Sequence, residues 1–493
     1  MIIKTEIDTI HPYTFDSSNM HGNADIVYIP ENFDELRQAI KSCYEQNIPM
    51  TFSGAGTGIT GSRVPNGGAV ISTELLKGIS AFGGGKVTVQ PSVNLNELDD
   101  FLRPQGFFLA PNPTEMNASI GGNVATNASG SRTFKYGAIR EHILGLKLIL
   151  PEGEVIILDR GEYFADSYIL TLKSISGKKY ELQLPIYTMP KTKNATGYFA
   201  HENMDAIDLF IGNEGTIAAI GEITLKVLPL PESIIGGIVF FDDAEKLLDF
   251  VIEVRDLSLI NNKSNINSIS TISARLIEYY DNPSLNLLRP KFPQIPEKAI
   301  AGIWFEQEYS KINEDAIMDK WYAMIQKYTG LSDDTWIALS DNEHKEMADF
   351  RHELPLQVYE NLTENSQKKV GLDTAVPIEH FPELFCFYSE VFGKLPLQYV
   401  IFGHIGNSHL HANIFCQNEE EYSLALQIYD KCIDKTLALS GTVSAEHGIG
   451  KLKKKYLRKM YGDKTVDDMI EIKKYFDPKL LFGIGTMFDI NKI

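Results

Sequence analysis

The sequence predicts an α+β protein of more than one lobe, and three observations carry that expectation. At 493 residues the chain is long enough for roughly two to four units of about 150 residues each. Residues 24–230 alternate strand-like and helix-like segments, whereas strands and amphipathic helices mix from Ile234 onward. Hydrophobic residues make up 43% and charged residues 23%, an ordinary globular balance.

Taken in order, Asp25–Ile29 is a short apolar run ending at Pro30. Phe33, Leu36, Ile40 and Cys43 then recur at helical spacing, with Asn32 placed to cap the helix. Met50–Phe52 reads as the next strand, followed by a glycine-rich loop. Residues 161–190 read as an insertion with a hairpin, Tyr168–Ser174 and Lys179–Leu184 flanking Ser176-Gly177. Pro229 and Pro231 mark a boundary. Beyond it, Ala244–Arg255 and Glu314–Tyr328 have amphipathic helical spacing, and Asn282–Pro296, with its four prolines, is expected to be a loop. A charged helix over 464–476 should stop before Asp477-Pro478, because proline disfavours helix in the preceding residue.

Charge and cysteine content narrow the function. Lys plus Arg is 46 against 65 for Asp plus Glu, net −19, which excludes a nucleic-acid binder whose affinity rests on neutralising phosphates. Any anionic ligand must therefore be held by local donors. The cysteines, Cys43, Cys386, Cys416 and Cys432, are scattered, which excludes a disulfide scaffold and argues against an intrinsic iron–sulfur cluster. The N-terminus is polar within four residues, and the longest apolar stretch, Ile234–Phe241, is far below the ~20 residues that span a bilayer. The expectation is a cytoplasmic protein in a reducing compartment.

Ser53-Gly54-Ala55-Gly56-Thr57-Gly58-Ile59-Thr60-Gly61 contains GxGxxG after a strand. A Rossmann reading needs a helix next, whose N-terminus receives the pyrophosphate. Pro65-Asn66-Gly67-Gly68 instead leads straight into strand Ala69–Ser72, so that reading fails. Two alternatives remain for the loop alone: a mobile surface loop, or a nest of backbone N–H groups that binds phosphate.

A second glycine segment runs Ala118-Ser119-Ile120-Gly121-Gly122-Asn123-Val124-Ala125-Thr126-Asn127-Ala128-Ser129-Gly130, preceded by Pro111-Asn112-Pro113-Thr114 and followed by Lys135-Tyr136-Gly137. A third is Gly212-Asn213-Glu214-Gly215-Thr216-Ile217. In this order and spacing they resemble the vanillyl-alcohol oxidase and p-cresol methylhydroxylase flavoproteins, in particular the FAD-linked D-2-hydroxyacid dehydrogenases. The resemblance covers nearly the whole chain. It implies a two-lobed FAD-binding domain of the vanillyl-alcohol oxidase type plus an α+β substrate cap domain. It puts Ser53, Gly54, Ala55, Gly56, Thr57, Gly58, Thr60 and Gly61 on the FAD pyrophosphate. Pro111, Thr114, Gly121, Gly122, Thr126 and Ser129 fall along the flavin and ribityl chain, and Glu214 and Ile217 near the adenine. The family often has arginine where Ser53 stands, and the first loop lacks the histidine that carries covalent flavin, so FAD is expected to bind non-covalently.

Four of the eleven histidines lie between His404 and His447. Gly403-His404-Ile405-Gly406-Asn407-Ser408-His409-Leu410-His411-Ala412-Asn413 reads as two strands around a turn, with His409, His411 and Asn413 on one face. Ser444-Ala445-Glu446-His447-Gly448 adds a carboxylate and a fourth imidazole. A single histidine in a strand is usually a packed core residue. Clustered imidazoles beside Glu-His suit zinc or iron(II). The resemblance assigns His404, His411 and Glu446 to a divalent metal, Asn413 to substrate and His447 to the catalytic base. His409, where the family usually has asparagine, is not counted as a ligand. The resemblance also makes Arg351 and Lys369 the clamp for a substrate carboxylate, with Lys368 as an alternative to Lys369, and Pro355 favours a small monocarboxylate over 2-hydroxyglutarate.

Forming an alkoxide from a hydroxyl of pKa ~15.7 at pH 7 costs about 12 kcal/mol. A positioned base supplies about 3–5 kcal/mol of that and a metal can supply much of the rest. The expected organisation is an FAD domain over 1–230, a substrate cap over 231–440, and a segment 441–493 returning to the FAD domain. The expected reaction is oxidation of a D-2-hydroxy acid, with electrons passing to a quinone, a cytochrome, an electron-transfer flavoprotein or an iron–sulfur subunit. Two rival readings stand: a non-redox transferase of the alkyl-dihydroxyacetone-phosphate synthase type, and a flavoprotein subunit inactive without partners. The basic run Lys451–Lys459 reads as a solvated helix face, with peripheral membrane contact as the alternative. Homodimerisation stays open.

Overall fold

A computed structural model describes residues 1–263 and 270–489. Two sheets organise the first lobe. In the smaller, Ile26–Ile29, Ala69–Ser72 and Met50–Ser53 are parallel, with Ile2–Lys4 antiparallel at the edge. The helix Phe33–Glu45 covers it: Leu36, Ile40 and Cys43 pack on Met50, Ala69 and Ile71. Asn32 caps that helix as the sequence predicts, its Oδ1 accepting from Glu35 N at 3.0 Å. No helix separates Met50–Ser53 from Ala69–Ser72, so the glycine loop is not a Rossmann turn.

The second sheet has the order Ile79–Gly83, Lys86–Val89, Ala219–Lys226, Ile143–Ile149, Val155–Asp159 and is antiparallel throughout. The predicted hairpin forms from Ile169–Lys173 and Lys179–Gln183, register Leu170↔Leu182.

The second lobe is built on one large antiparallel sheet: Trp336–Ala338, Ser233–Phe241, Ala301–Tyr309, Ala274–Asp281, Tyr399–Gly403, His409–Cys416 and Lys368–Gly371. The helix Asp341–Glu364 covers one face, burying Met347, Phe350, Leu354 and Val358 against Ile238, Phe240, Leu276 and Trp304. One sequence expectation needs correction here. The loop expected over 282–296 begins as a helix, Asn282–Leu288. Pro283 sits in its first turn, where a missing N–H costs nothing, and Asp281 caps it. The charged helix expected over 464–476 forms after Gly462, whose non-helical backbone (φ +79°) separates it from a shorter helical stretch starting at Lys454, and it stops before Asp477-Pro478. The chain then returns to the first lobe. Met50 N donates to Leu481 O at 2.7 Å, Gly483 N donates to Met50 O at 2.8 Å, and Phe482 packs edge-on against Phe52.

A glycine-walled cleft beside a histidine and carboxylate cluster

The first and second glycine segments face each other across a cleft that, open mouth included, holds about 1160 Å³ of space between protein atoms. Ser53, Gly54, Ala55, Gly56, Thr57, Gly58, Thr60, Gly121, Gly122, Thr126, Glu214 and, at one side, His447 line it. Gly56 and Gly61 hold φ near +81°, a conformation most side chains resist. A Cβ on Gly54 would fall 2.7 Å from Ser119 Oγ, so the two segments approach at backbone distance. Buried in the same walls, Asn123 Nδ2 and Asp16 Oδ2 have no hydrogen-bond partner. A ligand offering both phosphate acceptors and hydroxyl donors would satisfy them, and FAD fits that description.

Five residues expected on the cofactor lie off the lining of the cleft: Gly61, Pro111, Thr114, Ser129 and Ile217. Gly61 and Pro111 are buried behind it. Thr114 and Ser129 instead reach the charged cluster: Arg351 Nη2 donates to Thr114 Oγ1 at 3.0 Å, and Ser129 Oγ donates to Glu446 Oε2 at 3.0 Å. The side chain of Ile217 is fully buried in the hydrophobic core, while its neighbours Gly215 and Ala218 line the cleft. Glu214 lines the cleft. Its carboxylate accepts from Ile449 N (2.7 Å) and Gly450 N (2.8 Å), which pins it to the segment carrying His447. Burial raises its pKa above the ordinary carboxyl value. Thr60 Oγ1 donates to His447 O at 3.1 Å, a second tie between glycine loop and histidine segment.

The cluster forms where two strands of the large sheet meet residues 444–448. His411 Nε2 lies 3.0 Å and His404 Nε2 3.4 Å from Glu446 Oε1. Bonds of 2.0–2.1 Å at tetrahedral angles put ligand atoms about 3.3–3.4 Å apart, so these three groups fit a first-row metal. The charge states of Glu446 and His411 fit too. Burial opposes ionisation of Glu446, but Lys193 and His404 override it and hold the carboxyl well below the ordinary range. Burial also keeps His411 below the ordinary histidine value, leaving a lone pair available. For His404 burial is outweighed by Glu278, whose Oε1 lies 2.6 Å from Nδ1 and orients the ring. His409 is occupied elsewhere. Lys193 Nζ donates to its Nδ1 at 3.1 Å, and Nε2 lies 3.0 Å from Asp373 Oδ1 in a poorly directed contact.

His447 joins the two halves. Its Nδ1 is 3.1 Å from Asp373 Oδ2, which leaves Nε2, 3.7 Å from Glu446 Oε1, toward the shared space. The ring stacks on His411 with 5.2 Å between centroids. Burial works against charge on Asp373, yet His447 and Lys453 keep its carboxyl well below the ordinary value. Arg351, 6% exposed, projects from Asp341–Glu364, its Nε 3.8 Å from Glu278 Oε2. Lys369 pairs across the sheet with Phe415, and so shares the face of His411 and Asn413. Lys368 points away to Glu419 at 2.5 Å.

Three members of this cluster escape the motif reading: Lys193, Glu278 and Asp373. Glu278 had a weak signal, a charge set among Leu276, Ile277, Tyr279 and Tyr280 in the strand Ala274–Asp281. Asp373 stood in the segment read for the lysine clamp, with nothing local to mark it. Lys193 lies in a coil with no periodicity. The solvated-face reading of the basic run needs a matching correction. Lys454 and Lys455 pair with Asp489 and Asp430 at the surface, but Lys453 is 7% exposed with its Nζ 2.9 Å from Asp373 Oδ2. Among the described residues no helix is long and apolar enough to cross a membrane.

Both lobes match known families. Residues 24–159 match the FAD binding domain family, and residues 230–485 match the family of FAD linked oxidases, C-terminal domain. Glycolate oxidase subunit GlcD of Bacillus subtilis is 25% identical over 491 residues, covering 97% of this chain and 92% of that protein. D-lactate dehydrogenase of Anaerostipes hadrus is 26% identical over 493 residues, covering 96% and 92%. Among solved structures, alkyldihydroxyacetonephosphate synthase superposes with a TM-score of 0.67 at 15% identity, covering 98% of this chain and 81% of that one, a likeness of fold. With the two family matches spanning both lobes, the chain belongs to the FAD-linked oxidases.

Proposed function

We propose that this protein oxidises a small D-2-hydroxy acid, of the D-lactate or glycolate type, to the 2-oxo acid. The observation that carries the reading is that His447 belongs at once to the cleft and to the cluster. Ser53–Thr60, Gly121, Gly122 and Thr126 would hold FAD in the cleft, and FAD when bound would supply the acceptor for the C2 hydride, with a quinone, a cytochrome, an electron-transfer flavoprotein or an iron–sulfur subunit as the external oxidant. A divalent ion, zinc or iron(II), held by His404, His411 and Glu446 would stabilise the developing alkoxide.

The chain's own groups do the rest. Asp373 holds His447 with Nδ1–H toward the carboxylate, so Nε2 is the basic nitrogen that collects the hydroxyl proton. Arg351 offers a planar pair of donors to the substrate carboxylate, and Lys369 adds a second positive charge from the sheet face. Asn413, 7% exposed on the same face, orients the substrate. Pro355, one helical turn beyond Arg351, supplies no hydroxyl for a second carboxylate, which favours a monocarboxylate.

The test is anaerobic addition of D- and L-2-hydroxy acids to the purified holoprotein. Bleaching of the flavin by D-lactate or glycolate, but not by L-lactate, is expected. A flavin that stays yellow with every acid overturns the reading and favours a non-redox transferase. Elemental analysis beside His404→Ala and Glu446→Ala tests the metal, and equal metal content in all three proteins removes it from the mechanism.

A further inference from the structure

One cation in the cleft wall has no part in the chemistry above. Arg63 lines the cleft, and its guanidinium has only neutral partners. Nε donates to Ser53 Oγ at 2.7 Å, Nη1 to Phe15 O at 2.6 Å and Nη2 to Pro12 O at 3.2 Å. Among the described residues no carboxylate oxygen comes within 4.0 Å of it, and Asp16 and Glu74 act only from farther away. Three of its five N–H donors are used. Gly56 makes room for it, since a Cβ there would fall 2.7 Å from Nη1. The guanidinium thus lies directly against the glycines of the loop. Lys451 is a second unpaired cation nearby, but its Nζ donates to Val64 O at 2.5 Å behind the loop and does not line the cleft.

A half-buried guanidinium without an anion is costly, and in a chain of net −19 it will not persist for want of acidic residues to pair with. We propose that Arg63 is the counter-charge for the diphosphate of FAD, adding a side-chain cation to the neutral backbone donors of the glycine loop. The proposal rests on the cleft being the FAD site. A rival role comes from the same bonds, which also tie residues 12–15 over the loop, so a purely structural arginine is the alternative to defeat.

Flavin-free full-length protein is titrated with FAD and with riboflavin, which lacks phosphate, following quenching of flavin fluorescence. Arg63→Gln is expected to weaken FAD about 10- to 100-fold, in line with a hydrogen-bonded charge, and to leave riboflavin unchanged. Arg63→Lys should recover part of the FAD affinity. FAD affinity within twofold of wild type in Arg63→Gln overturns the proposal, as does an equal loss for FAD and riboflavin, the mark of a structural role. A wild-type measurement covers a variant that does not fold. Raising KCl from about 50 to 500 mM should weaken FAD several-fold and riboflavin not at all, and identical salt dependences overturn the proposal. Wild-type protein that binds neither flavin would instead sink the cofactor reading itself.

Discussion

The cleft and the histidine cluster share His447 but are made of opposite materials. The cleft is walled largely by backbone, with glycines at 54, 56, 58, 121 and 122 and few ionisable groups. The cluster is a knot of side chains gathered from five separate stretches: Lys193, Glu278, Asp373, His404 to His411, and Glu446 with His447. The contrast teaches where each function is vulnerable. A backbone site fails when the chain cannot take its path. A side-chain site can lose one group and keep its shape.

The largest expected effect separates the two cleanly. His447→Gln removes the base but keeps a residue of similar size, so turnover with a D-2-hydroxy acid should fall about 10²–10⁴-fold. The flavin-to-protein ratio should not change. Anaerobic stopped-flow bleaching gives the rate and absorbance gives the ratio, and a variant that loses flavin along with turnover breaks the division between cleft and cluster.

Gly450→Ala attacks the opposite side. Gly450 holds φ +53°, and a Cβ there would lie 2.1 Å from Thr60 O, backbone that cannot swing aside. Left-handed strain and overpacking together should cost about 2–5 kcal/mol. Because Thr60 lines the cleft, the variant should melt earlier and hold less flavin, and excess FAD should restore part of the Tm by mass action. A Tm within about 1 °C of wild type would mean that this close approach does not support the cleft.

The same contrast explains what was legible in the sequence. Glycine runs at 53–61, 118–130 and 212–217 advertise a backbone site because the conformations they permit are local. The strand imidazoles and Glu446-His447 were legible because they repeat at short spacing. Lys193, Glu278 and Asp373 were not, since their partners are far away in sequence: Glu278 lies 126 residues from His404, and Lys193 lies 253 from Glu446. Ile217 shows the limit of a motif position. Such a position fixes where the backbone runs, and packing then turns this side chain into the core. Pro283 misled for a similar reason: a proline that looks like a breaker is at home in a helix's first turn.

The smallest expected effect concerns a buried carboxyl that belongs to neither region. Asp373 and Glu446 are buried beside cations and are held below the ordinary carboxyl range, so the stability they contribute is lost as pH falls through their folded values. Asp281 is equally buried, but its partners are neutral: Ser284 N at 2.8 Å and Ile401 N at 2.9 Å. Burial therefore wins and pushes its carboxyl up to about 7. With the folded pKa above the unfolded one, the native state binds the extra proton between about pH 4 and 7, so this group's contribution falls as pH rises through that window. Asp281→Asn removes the titration. The Tm of wild type minus that of the variant should therefore be greatest near pH 4–5 and shrink toward pH 8, with flavin content equal in both proteins. A difference that grows toward pH 8 would mean that the two backbone donors hold Asp281 ionised, and that burial without a cation does not set buried carboxyls apart in this fold.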